Sequence, residues 1–280
     1  MRSVLSGSAA ILLLSYGCFA QASDPPAAGA TAPLDHSMLL GTWNRVREPG
    51  DREHVSAVTA DLLHLNKESK DTRASPVVIL AELPPLKPQY MTQWVDFIKR
   101  SHEADERGQP LATGYSHCLP DGMPTMMQGM FPMEVLQAPG DITILEEAYR
   151  QIRHIYLNQK QITPITDAEP GFWGHSVGHW EGNTLRVNTV GIREEVRVEG
   201  VPHSDQMQID EKIELLTPDT FKDAITVTDP VYLTGPWSFT WHYKREKGYK
   251  ILEYVCEDNR EESDSDSQKM NLSSGPTSQH

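Results

Sequence analysis

Long hydrophobic runs are missing from this 280-residue chain. The apolar stretch from Ala9 to Leu14 falls well short of the roughly 20 residues that a membrane-spanning helix needs, and no later stretch comes close, so no transmembrane span is expected. Basic charge is scarce as well: 25 Lys and Arg face 39 Asp and Glu, a net charge of −14. A surface of that sign repels nucleic acid and anionic lipid, and no basic stripe with interleaved aromatics offsets it, so nucleic acid is not an expected partner. The one GxSxG, Gly174-His175-Ser176-Val177-Gly178, falls inside a stretch that reads as a strand and not on the strand-to-helix turn a nucleophile needs, and there is no Gly-rich phosphate loop and no dinucleotide fingerprint. Support for nucleophilic catalysis is therefore thin, and no cofactor is expected. Cysteine is reduced to Cys18, Cys118 and Cys256, none of them in a CxxC or CxxCH motif.

What is present begins with an export signal. Met1 and Arg2 precede the apolar run, and Ala20-Gln21-Ala22 is the small-x-small pattern cut by signal peptidase, so residues 1–22 read as a cleavable secretory signal and the mature protein as periplasmic or secreted. Lipidation of Cys18 is the alternative, although Ser15 and Tyr16 stand where an aliphatic and a small residue are wanted. Residues 23–34 are a flexible Ala/Pro-rich leader, and 258–280 an acidic, Ser-rich tail expected to be disordered. Loss of Cys18 leaves Cys118 and Cys256 in an oxidising compartment, where an even pair is most simply a disulfide; a reactive thiol is the alternative.

The expected fold is a single mainly β domain over 35–257. A helical segment at about 90–106 is marked by Trp94, Val95, Phe97 and Ile98 among charged residues, after Pro84, Pro85 and Pro88. Strand patterns follow near 131–137, 141–147, 150–158, 171–180, 183–191, 206–216, 219–228, 237–246 and 249–256, with short turns such as Glu181-Gly182-Asn183 and Thr217-Pro218-Asp219 between them. So many successive antiparallel strands form a meander, and a long meander avoids exposed edges by closing into a barrel. Gly41-Thr42-Trp43 is reminiscent of the first strand of lipocalin-like (calycin-like) barrels.

Strand alternation points to the chemistry. Glu211 completes the apolar face formed by Met207, Ile209, Ile213 and Leu215; Glu146 follows Ile142 and Ile144; Glu253 sits between Ile251 and Val255. Carboxylates on inward registers are costly unless protonated, paired or hydrogen-bonded, and Arg153 in the strand beside Glu146 is the expected counter-charge. Two readings stay open: structural ion pairs plugging a barrel, or a polar-floored cavity for a small molecule. The cavity would be walled by Tyr156, Trp173 or Trp180 and Trp237 or Trp241, with Glu211 or Glu146 as proton carrier, His203 as its partner and Arg153 as a clamp. Here His175, Trp180, Trp237 and Glu253 are candidate binding residues. His175 and His179 cannot share a metal ion, because strand geometry separates them by about 13 Å. Met123, Met126, Met127, Met130 and Met133 suggest Cu(I) handling as an alternative, against which stand Gly122, Pro124, Gly129 and Pro132.

Several segments together carry a resemblance: His117-Cys118-Leu119-Pro120-Asp121-Gly122-Met123-Pro124, Arg153-His154-Ile155-Tyr156, Gly178-His179-Trp180-Glu181-Gly182-Asn183-Thr184-Leu185 with Thr189, Pro202-His203-Ser204, Asp229-Pro230, Pro236-Trp237 and Glu253-Tyr254-Val255-Cys256. Over about 110–257 the chain resembles a large family of secreted bacterial proteins, abundant in sphingomonad-like and acidobacterial genomes. The WEGxTLxVxT segment is the most specific part. The resemblance implies export and bacterial origin, and no particular reaction. That family commonly has Asp where this chain has Asn183 and Asn188.

The reading is thus an exported small-molecule-binding β-barrel for a partly apolar or aromatic compound. Any turnover would be cofactor-independent acid/base work of isomerase, lyase or cyclase type. The alternative is a carrier without turnover or a metal-handling protein.

Overall fold

A computed structural model describes residues 34–48, 84–109, 111, 117–128, 131–198 and 201–256. The expected signal, nearly all of the leader and the tail lie outside them. Nine strands form a closed barrel in chain order: β1 (Gly41–Val46), β2 (Met133–Ala138), β3 (Asp141–Glu146), β4 (Gln151–Leu157), β5 (His175–Glu181), β6 (Thr184–Val190), β7 (Gln208–Thr217), β8 (Thr220–Thr228) and β9 (Trp237–Arg245). β9 returns to pair with β1, placing Arg45 opposite Tyr243. The expected helix is present as α1 (Pro88–Glu106), with proline at its first position, where the missing N–H costs nothing.

The alternation read in the sequence is the alternation of the barrel wall. β7 buries Ile209, Glu211, Ile213 and Leu215; β8 buries Phe221, Asp223, Ile225 and Val227; β9 buries Trp237, Phe239, Trp241 and Tyr243. These inward aromatics pack on one another. Phe221 stacks on Tyr243 at 4.3 Å between centroids, Trp43 meets Phe221 edge-on at 4.8 Å, and Phe239 lies 4.9 Å from Trp241. Much of the lumen at this level is a packed core rather than space.

Two expectations are corrected. The pair β4–β5 is parallel, with Ile155 opposite Ser176, so the meander is interrupted once. Parallel neighbours need a long crossover, and residues 158–174 supply it. The stretch 249–256 is not a strand. With β9 already bonded to β1 the sheet has no free edge for a tenth strand to join. The chain instead forms a strap, anchored where Thr42 donates to the Tyr249 carbonyl and where the Leu252 amide and the Tyr249 hydroxyl both donate to Glu147. Glu253 consequently faces water, 79% exposed, in an ion pair with Arg150 at 2.9 Å.

The strap ends at Cys256, which is disulfide-bonded to Cys118 as expected, with Cα atoms 5.7 Å apart. Cys118 begins a segment that plugs one end of the barrel and buries Met123, Met126 and Met127. Its backbone is fastened by the Met123 amide to the Phe172 carbonyl at 2.9 Å, and the Tyr243 hydroxyl donates to the Met127 carbonyl. Gly122 is required there: φ is +72°, and a Cβ would stand 2.5 Å from the Phe172 oxygen. At the other end, His36 stacks on Trp180 at 3.8 Å and Trp43 Nε1 donates to the Leu39 carbonyl at 2.8 Å, so residues 34–40 cover that mouth.

Candidate functional site

Inward carboxylates are present in the barrel, and their partners differ from those expected. Arg153 on β4 is fully buried, and its Nη1 donates to Glu211 Oε1 on β7 at 2.9 Å while Nη2 donates to Oε2. Its Nε reaches Ser176 Oγ at 3.2 Å and Nη2 also reaches Thr189 Oγ1 at 3.0 Å; the two hydroxyls are 2.8 Å apart. Arg153 therefore answers Glu211 across the barrel, not Glu146 in the adjoining strand, and every nitrogen of its guanidinium is engaged.

Asp223, one strand further on, is also fully buried. Neither of its oxygens accepts a hydrogen bond from a protein N–H or O–H. Burial first, then the charge of Glu211, pushes its carboxyl well above the usual aspartate range. Asp223 was legible by the rule that found Glu211, since it falls between Phe221 and Ile225 on the buried register of β8.

Glu146 lies beneath the plug. Burial, then the negative charge of Asp121, pushes its carboxyl up to about 9, so it is neutral at pH 7. Gln151 Nε2 donates to it at 2.6 Å and also reaches Asp121 at 3.2 Å, while Gln151 Oε1 accepts from the Gly122 amide at 3.1 Å and from Trp173 Nε1 at 3.4 Å. The turn joining Glu146 to Gln151 holds Tyr149 and Arg150 in the left-handed region at φ +54° and +51°. Such residues cost on the order of 1–3 kcal/mol each and persist only when their surroundings impose them. The strap does so: Arg150 Nε donates to the Tyr254 carbonyl at 2.9 Å, and Tyr149 packs 5.2 Å from the Tyr254 ring. Nothing in the local sequence marks Gln151 or Asp121 as members of this cluster.

His203 is buried rather than standing at an open mouth. Its Nδ1 donates to the Ser204 carbonyl at 2.9 Å, and burial holds its pKa below the ordinary histidine value. No hydrogen bond joins it to Glu146 or Glu211. Its loop is organised by Asp229, which accepts from the Ser204 amide and hydroxyl and from the amides of Val231 and Tyr232. Trp237 lines the lumen, but Tyr156 and His175 do not. They lie on the outer face, stacked at 5.2 Å. Met123, Met126, Met127 and Met133 are buried in the apolar core; Met130 lies outside the described residues. Among the described residues no group of three or more His, Cys, Asp or Glu is placed to hold a metal ion.

A groove of about 650 Å³ opens on the outer wall of β5, β6 and β7 beside the start of the crossover. Val177 is its apolar floor, with Asn158 and Gln159 at one side and His179, Arg186, Asn188, Asp210 and Lys212 at the other. The crossover is tied to β5 and β6 by Gln161 Nε2, which donates to the Asn188 carbonyl at 2.9 Å and the His175 carbonyl at 3.2 Å. The pattern of apolar and polar alternation could not disclose this groove, because only the parallel β4–β5 pair sends the chain back over the outside.

The barrel and its sites place this chain among closed β-barrel proteins with a plugged lumen. No family model, curated protein or solved structure matches it.

Proposed function

We propose that this is an exported β-barrel protein that binds a small, partly apolar molecule in the groove on the outer wall of β5–β7, with the lumen acting as a rigid, internally neutralised scaffold. The observation that carries this reading is the groove itself, whose volume suits a small molecule and whose floor is the buried Val177 rimmed by amide and charged side chains. Export to the periplasm or exterior is part of the proposal and is supported by the Cys118–Cys256 disulfide. The test is a fragment screen by ligand-observed NMR on the wild-type protein and on Val177→Trp, which fills the groove from its floor. Hits lost in the variant support the reading; hits that all persist in a folded variant overturn it.

A second reading, cofactor-independent acid/base catalysis, rests on the placement of Glu146, buried and held by Gln151 Nε2 at 2.6 Å, where burial and the charge of Asp121 push its carboxyl up to about 9. It favours Glu146 over Glu211 as proton carrier, since Glu211 is committed to Arg153. Turnover abolished in Glu146→Gln with binding intact would support it, and unchanged turnover would remove it.

A further inference from the structure

We infer that the ligand of the outer groove is anionic, a small organic carboxylate whose charged end is held by Arg186 and Lys212; the inference rests on the groove being the binding site. The register sets these two residues directly opposite each other on the outward faces of β6 and β7, and sets His179 of β5 opposite Arg186. Three nitrogen-bearing side chains therefore form one rung across the groove, on strands roughly 4.8 Å apart. Like charges placed directly across a strand pair destabilise the sheet. In a protein with a net charge of −14, a basic rung with this cost needs a reason.

Its neutralisation within the chain is incomplete. Glu181 accepts from Arg186 Nε at 2.8 Å and meets His179 Nε2 at 3.0 Å, which leaves both Nη nitrogens of Arg186 without a hydrogen-bond partner among the described residues. Lys212 has no ion pair or hydrogen bond there either. The nearby Asp210 accepts from Asn188 Nδ2 at 2.9 Å. On β8 next door the matching problem is solved internally, because Lys222 pairs with Glu214 at 2.9 Å. The free guanidinium edge and the free ammonium both belong to residues lining the groove, with Val177 beside them to take the apolar part of a ligand. A guanidinium edge and an ammonium side by side suit a carboxylate, which accepts two donors on one oxygen pair.

The experiment is an NMR titration of the full chain with two matched pairs of probes, benzoate against benzamide and galacturonate against galacturonamide, at low and high salt. The expected result is that at least one carboxylate binds, that its amide counterpart binds about tenfold more weakly or not at all, and that added salt weakens the carboxylate. Arg186→Met and Lys212→Met should each cost about tenfold in carboxylate affinity, while Lys244→Met, an exposed lysine on β9, should leave it unchanged. An amide that binds as well as its carboxylate, and is lost in Val177→Trp, overturns the anionic ligand but leaves the groove as the site. No binding by any of the four probes likewise overturns the anionic ligand and leaves the groove to the fragment screen, whereas carboxylate binding that survives Val177→Trp overturns both.

Discussion

Arg153 and Glu211 meet through two parallel hydrogen bonds inside the barrel, and neither side chain has any exposure to water. Asp223 stands next to them, its carboxyl raised well above the usual aspartate range first by burial and then by the charge of Glu211. This arrangement has consequences that an isolated ion pair would not.

In Glu211→Gln, the charge that adds to burial in raising Asp223 is gone, so Asp223 ionises more readily and can answer Arg153. The single variant should therefore cost well below the about 3–5 kcal/mol expected for stranding a buried charge, whereas Glu211→Gln with Asp223→Asn should reach that range. Urea unfolding of both, with Asp223→Asn alone as reference, checks the coupling. Additive losses across the three variants would show that Asp223 does not answer Arg153.

Glu146 makes stability depend on pH with a definite sign. Its folded value, about 9, exceeds its unfolded value, near 4.5, so between those limits the folded state holds more protons and stability falls as pH rises. His203 acts in the opposite direction on the acid side: its pKa is lowered by burial, so stability falls as pH drops below about 6.5. Melting temperatures should peak in mildly acidic buffer. Glu146→Gln should make the alkaline decline shallower, leaving the part contributed by Asp223, and raise stability at pH 7 by up to about 3 kcal/mol, and a variant that still declines between pH 5 and pH 9 with the same slope would contradict this assignment.

The disulfide closes a loop of 138 residues and ties the strap to the plug. Replacing both cysteines by serine should cost about 4–5 kcal/mol on the chain-entropy model. Because the strap imposes the left-handed turn at Tyr149 and Arg150, hydrogen exchange should rise first at Gln151 and in the plug. Equal protection there with and without the bond would mean that the strap holds by its hydrogen bonds alone.

Gly122→Ala places a methyl carbon within 2.5 Å of the Phe172 carbonyl at a positive φ. It should destabilise the protein by about 1–3 kcal/mol through loss of the plug's seating. A circular dichroism melt reads the cost, and an unshifted melting temperature would show the plug to be loosely held.

The alternation of β7, β8 and β9, the short turns between them and the pairing of two cysteines were all open to reading along the chain, because a strand's side-chain period and a turn's residue chemistry are local properties. The same locality placed Glu146 and Glu211 inside and, applied without knowledge of which edge was free, wrongly extended the pattern to Glu253. Partnership is not local. Whether Arg153 meets Glu146 or Glu211 depends on how strands far apart in sequence face each other across a closed barrel, and the outer groove exists because β4 and β5 run parallel. Side-chain periodicity is a matter of one strand's backbone; closure, crossover and which charge neutralises which are set by the free energy of the whole sheet.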